Sequence, residues 1–279
     1  MATNIEADEG QRWEVVDGLQ RLLSLTNFLG DEETRAAARL EGRRLRLTGL
    51  ESLEHFEELD SQDLPADIRD GLLDRPMKVV VLNDKSDLKV RFDLFERLNT
   101  GGVRLTDQEV RESVYMGDFV DALSALTSEP NFTGVVKLPM NRMKDGTPQD
   151  YALRFFAFHE RYTTFDHSVR DFLNDFIAAA AKEPRLDARA QTFRSTFKFL
   201  SEAWPNGLKG RKGTTPVNLF EGVAVGAALA LERNPKLKVP KDLSWVAGDD
   251  LRTHITGGTN NRLRVAGRIE YCRDMFLAA

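Results

Sequence analysis

Cysteine is almost missing from this chain of 279 residues: Cys272 is the only one. That excludes a disulfide within the chain and any cysteine-based zinc site. Histidine is scarce as well, and His55, His159, His167 and His254 show no His-x-x-x-His or other paired spacing. A zinc or HNH nuclease centre is therefore not expected; His159 and His167, flanking an aromatic region, read as packing or surface residues. No run of about 18 apolar residues occurs, which speaks against a membrane-spanning helix. The opening stretch, Met1 to Glu9, is polar and acidic and does not read as a signal peptide. A cytoplasmic protein without a membrane partner is the expectation. Internal repeats and low-complexity tracts are absent. Net positive charge is lacking too: the formal charge is -5, which argues against a protein that coats nucleic acid along its whole surface. A local basic groove remains open, at Arg43-Arg44 with Arg46 or at Lys209-Gly210-Arg211-Lys212; both also read as solvated strand ends or loops.

Hydrophobic residues make up 41% of the chain and charged residues 30%, enough for a real core in one large or two modest domains. The stretch around which the rest is organised is Trp13-Glu14-Val15-Val16-Asp17-Gly18-Leu19-Gln20-Arg21. Trp13 to Val16 has the β-branched and aromatic character of a strand, Asp17-Gly18 is a turn signal, and a helical pattern starts at Leu19. The first N–H groups of a helix have no partner within it and together favour an anion such as a phosphate. Gly18 lets backbone come close, Arg21 can fork onto phosphate oxygens, and Asp17 can hold magnesium or orient a water. The plainer alternative is an ordinary Asp-Gly turn followed by a solvated arginine.

Further along, Arg43-Arg44-Leu45-Arg46-Leu47 alternates like a strand with one buried face. Leu50, Leu53, Phe56 and Leu59 suggest a small helical or looped piece, and Ile68, Leu72 and Leu73 a short helix. Lys78-Val79-Val80-Val81-Leu82 reads as a strand buried on both faces. Asp84 to Asp87 cap a helix carrying Leu88 to Leu98, which stops at Asn99-Thr100-Gly101-Gly102, where the left-handed conformation of a helix end is available. Thr106 with Glu109 forms a capping box for a helix from Asp107 to about Ala125. After the Pro- and Gly-containing loop Asn131 to Gln149, with its basic residues Lys137, Arg142 and Lys144 and Arg154 just beyond, the pattern turns wholly helical. Tyr151 to Tyr162 is apolar. Val169, Phe172, Leu173, Phe176 and Ile177 form one stripe and Phe193, Phe197, Leu200 and Trp204 another. Val217 to Leu231, rich in Ala and Gly, predicts a close-packed central helix, and Ile269, Cys272 and Phe276 a last one.

Two loops carry a likeness: Asp17-Gly18-Leu19-Gln20-Arg21, and Phe95-Glu96-Arg97-Leu98-Asn99-Thr100-Gly101-Gly102 leading into Leu105-Thr106-Asp107-Gln108-Glu109-Val110-Arg111. With Leu45 to Leu50, Leu153 to Phe158, Val169 to Asn174 and Gly267 to Tyr271, they resemble the domain of unknown function 262 family, the GmrS-like part of GmrSD-type restriction systems. The resemblance implies an α+β fold: a small mixed sheet with helices similar to the ParB and sulfiredoxin fold, residues 1–130, then an all-helical bundle, residues 131–279. It implies a nucleoside triphosphate, of unspecified base and with Mg2+, held and hydrolysed in defence against phage DNA. Asp17, Gln20 and Arg21 map onto the catalytic turn, while Gly18, Arg97, Asn99, Gly101 and Gly102 map onto the nucleotide-binding loops. Asp93 and Glu96, one turn apart, are further acids for a metal with Asp17, or simply a solvated helix face.

Two departures temper this. Leu19 stands where the family has a glutamine, and the family's usual several dozen residues before the strand are not seen, so the chain reads as shortened at its start. Both features favour a second reading, a non-catalytic nucleotide- or DNA-binding specificity module. In either case DNA, met directly or through a partner nuclease, is the expected partner, and a homo-oligomer is open.

Overall fold

The structure, a computed structural model, describes residues 2–6, 10–14, 18–38, 40, 42–79, 106–115 and 117–278. The chain forms two compact units, Met1–Gly102 and Val103–Ala279.

In the first unit, strands β1 (Ala2–Glu6) and β2 (Gly10–Glu14) pair antiparallel, with Thr3 opposite Trp13. Helix α1 (Leu19–Leu29) follows the Gly18 turn and ends at Gly30, whose N–H donates to the Thr26 carbonyl at 2.9 Å. Asp31 caps helix α2 (Glu32–Ala37) by accepting from the Thr34 N–H at 2.7 Å. Phe28 is the buried anchor of α1, and the Ser61 hydroxyl donates to its carbonyl. Helix α3 (Ala66–Leu73) lies beyond a 3-10 turn at Glu54–Phe56.

The mixed sheet expected here is corrected by these elements. Among the described residues the strands are the two of one hairpin, so a ParB/sulfiredoxin-like sheet is not seen. The alternating stretch 43–47 is no strand, and its backbone and side chains explain why. Arg44 donates to the Gly30 carbonyl at 2.6 Å and to Glu32 at 2.9 Å, and Arg46 donates to the Glu58 carbonyl at 3.0 Å. The Glu57 carboxylate takes the N–H groups of Gly49 and Leu50 at 2.7 and 2.9 Å. Among the described residues the backbone pairs across only at Leu47, whose N–H donates to the Leu59 carbonyl at 3.0 Å and whose carbonyl accepts from the Glu58 N–H at 2.8 Å, and Glu57 takes the N–H groups just beyond, so no ladder extends. The expected strand 78–82 lies largely, and the helix 88–98 wholly, outside the described residues.

The second unit is helical. Its helices are α4 (Asp107–Val114), α5 (Asp118–Thr127), α6 (Pro130–Val135), α7 (Thr147–Arg161), α8 (Val169–Lys182) and α9 (Leu186–Ala203). After these, α10 (Val217–Phe220) passes through a π turn (Glu221–Val225) into α11 (Gly226–Arg233), and α12 (Asp249–Ile255) and α13 (Arg262–Leu277) close the bundle. The expected helix from Asp107 is broken at Gly117, where φ is +131°, a value open to glycine. Because α4 and α5 pack on α7, α8 and α9, the division between units falls after Gly102, whereas the sequence reading placed a boundary after residue 130.

Phenylalanines build the core, as the stripes predict. Phe155, Phe156, Phe193 and Phe197 are fully buried and meet largely edge to face or tilted, with Phe193 and Phe197 centroids 4.3 Å apart. In the central helix Gly222 and Gly226 bring its backbone against α13: a Cβ on Gly226 would lie 2.7 Å from the Cys272 Cβ. Cys272 itself is sealed, and burial pushes its thiol pKa well up. Among the described residues no helix is long and apolar enough to cross a membrane.

Candidate functional site

The turn singled out in sequence is a left-handed glycine leading into a helix. Gly18 takes φ +88°, a left-handed conformation that suits glycine, and immediately precedes α1. Among the described residues no side chain caps the helix, and its first backbone bond is the Leu22 N–H to the Gly18 carbonyl at 2.9 Å. The N–H groups ahead of Leu22 have no place in the helical ladder. Arg21, one turn in, folds its guanidinium back over the turn: a Cβ on residue 18 would lie 3.1 Å from Nη2 and 3.3 Å from Nε. The glycine is favoured by its backbone angle, and an added methyl would also press on the Arg21 guanidinium. Gln20 is exposed on the same turn. The structure thus brings together Gly18, Gln20 and Arg21. Asp17, Asp93, Glu96, Arg97, Asn99, Gly101 and Gly102 lie outside the described residues.

A second feature lies in the helical unit. A cleft of about 410 Å³ opens beside the start of α4, and Asp107, Arg142, Thr147, Asp150, Tyr151 and Arg154 are among its lining. Two of its lining residues, Asp150 and Arg154, are half-buried and open a chain of paired charges that runs into the core. Asp150 Oδ1 accepts from Arg111 Nη1 at 3.1 Å, and Asp150 Oδ2 accepts from Arg154 Nε at 2.5 Å. Arg154 Nη1 reaches Glu221 Oε1 at 2.8 Å, and Arg268 Nη2 donates to the other oxygen of Glu221. Arg111 Nε donates to Asn174 at 2.8 Å, and Arg268 Nη1 to the Thr259 carbonyl at 2.8 Å. Charges taken out of water persist only when so paired. For Arg154, burial alone would lower the pKa, but the Asp150 and Glu221 carboxylates outweigh it and hold the guanidinium above its ordinary value. For Arg111 burial wins and the shift is downward, although Asp150 and Asp107 oppose it.

Residues 2–116 match the family model of the GmrSD restriction endonuclease, N-terminal domain. This stretch is similar to that family. No curated protein and no solved structure matches the chain. The GmrSD-type stretch holds both the Gly18–Arg21 turn and helix α4, so the Gln-Glu-x-Arg residues of α4 fall within it.

In that helix the motif residues do structural work. Glu109 and Thr106 complete the expected capping box, the Thr106 N–H donating to Glu109 at 2.7 Å and the Glu109 N–H to Thr106 at 3.2 Å. Gln108 is buried against the Gly146 turn, and Arg111 enters the ion chain. The other basic candidates divide. Arg44 and Arg46 are engaged in the first unit as described, whereas Lys209, Arg211 and Lys212 are exposed on the loop preceding Thr214 and Thr215 of the cleft. In the Gly257 to Arg264 turn, Asn261 caps α13 by accepting from the Arg264 N–H at 3.0 Å.

Sequence reading missed the ion chain. Its signals were present: Asp150 and Arg154 stand four apart on an apolar helix, and Glu221 is an isolated acid in the run Val217 to Leu231. An acid in such a run must meet a buried cation. Among the described residues no group of three His, Cys, Asp or Glu side chains could hold a metal ion.

Proposed function

We propose that this chain is a nucleotide-binding component of a restriction-type system that acts against phage DNA, and that its Gly18–Arg21 turn seats the phosphates of a nucleoside triphosphate. The observation that carries the reading is the fold-back of Arg21 over Gly18 at the start of α1. A guanidinium beside the first N–H groups of a helix offers charge-assisted, forked donors to one anion. The similarity of residues 2–116 to the GmrSD family supports the restriction setting.

In this reading Gln20 orients the attacking water, and Arg97 neutralises charge that builds on the transferring phosphoryl group. Asn99, Gly101 and Gly102 close over the nucleotide. Asp17, next to Gly18 in the chain, is the carboxylate we assign to Mg2+, which screens the polyphosphate charge when bound.

The test is phosphate release from each of the four common nucleoside triphosphates with magnesium, with and without DNA, alongside a binding titration. Binding with release supports the reading. Tight binding without release would make the chain a regulatory or specificity module instead. No binding of any triphosphate overturns both.

A further inference from the structure

The cleft of the helical unit has no role in the function proposed above, and its two arginines are not equally satisfied by its acids. Asp150 and Arg154 line it and belong to an ion chain that continues into the core through Arg111, Glu221 and Arg268. Every oxygen of those two acids already accepts from an arginine. Arg154 commits Nε and Nη1 to them, which leaves Nη2, on the side chain that lines the cleft, without a hydrogen bond among the described residues. At the rim stands Arg142, whose side chain is 56% exposed and whose nearest acid, Asp145, is 3.7 Å away. Asp145 is itself occupied by the N–H and hydroxyl of Thr147, at 3.1 and 2.5 Å. The lining therefore offers two cations facing one hollow. Its remaining acid is Asp107, exposed at the first position of α4.

We propose that this cleft binds a small phosphorylated ligand, its phosphate held between Arg142 and Arg154. Three features support that chemistry. Arg154 is fixed, because the Asp150 and Glu221 carboxylates orient it before any ligand arrives, so little ordering cost falls on binding. Thr214 adds a hydroxyl to the lining, and the N-terminal end of α7 at Thr147 adds a partial positive charge. The volume of about 410 Å³ falls in the range of small-molecule pockets and suits a nucleotide-sized molecule rather than a duplex. Asp107 opposes the anion and makes the site selective for a ligand that brings a counter-cation.

The experiment uses the full chain carrying Arg21→Ala, which removes the triphosphate seat of the first unit, so the two sites are read separately. Inorganic pyrophosphate is titrated by calorimetry into this protein, then into Arg21→Ala/Arg142→Ala and Arg21→Ala/Asp107→Asn. We expect one saturable site in Arg21→Ala. Arg142→Ala should weaken it at least tenfold, as loss of a charged hydrogen-bond donor does, and Asp107→Asn should tighten it. Arg142 is exposed at the rim, so its removal leaves the fold intact, and an unchanged melting curve checks this. Loss of all pyrophosphate binding with Arg21→Ala alone overturns the proposal. So does an isotherm indifferent to Arg142, or binding of single-stranded DNA but not of pyrophosphate, which would make the cleft a nucleic-acid surface.

Discussion

Arg154 and Glu221 meet at 2.8 Å across 67 positions of sequence, and the carboxylate between Arg154 and Arg268 is only 1% exposed. Removing one partner of such a pair strands the others in a low-dielectric interior. Glu221→Gln should therefore cost about 3–5 kcal/mol of stability. By contrast Glu129→Gln, which breaks the more exposed pair with Arg194, should cost less than about 1 kcal/mol. Urea unfolding of both variants checks the difference.

Close helix contact at Gly226 makes a second prediction. A methyl there would meet the Cys272 Cβ at 2.7 Å and the Arg273 backbone nitrogen at 2.8 Å, and backbone cannot yield cheaply. Gly226→Ala should destabilise by about 1–3 kcal/mol or more. Gly134→Ala, on α6 with nothing within 4 Å of the added methyl, should be neutral or stabilising by up to about 1 kcal/mol. Thermal melts of the pair give opposite signs.

Alkaline pH tests the floor of the cleft. Burial pushes the Tyr151 phenol up to about 12, with Arg154 partly opposing, and its hydroxyl donates to the Thr215 carbonyl at 2.8 Å. The folded pKa is the higher one, so the unfolded chain ionises first. The tyrosine's contribution is thus whole below pH ~10 and is lost as pH rises from there toward the folded value. Two units correspond to about 2.7 kcal/mol. Cys272, raised by burial as well, adds to the same decline. Tyr151→Phe should flatten the fall in stability over that window relative to wild type, read by urea unfolding at a series of pH values.

The helical unit was legible in sequence because its information is periodic. Phe193, Phe197 and Leu200 recur on one face and are all buried, and Thr106 with Glu109 announces the start of α4. The first unit was less so. Leu45 and Leu47 alternate with arginines as a strand would, yet Leu45 is exposed and Glu57 claims the following N–H groups, a tertiary choice invisible to periodicity. At the site, Gly18 and Arg21 were readable because their spacing alone places them on one helical turn. The Arg154–Glu221 link was not, since no local rule joins two residues so far apart in sequence.

The central claim is that Arg21, folded over Gly18, grips a polyphosphate. Its most direct measure is the equilibrium affinity of the full chain for a fluorescent nucleoside triphosphate, compared with Arg21→Ala. Losing a charged, forked donor should weaken binding by about ten- to a hundredfold, with Arg21→Lys falling between. Equal affinity in wild type and Arg21→Ala would contradict the account.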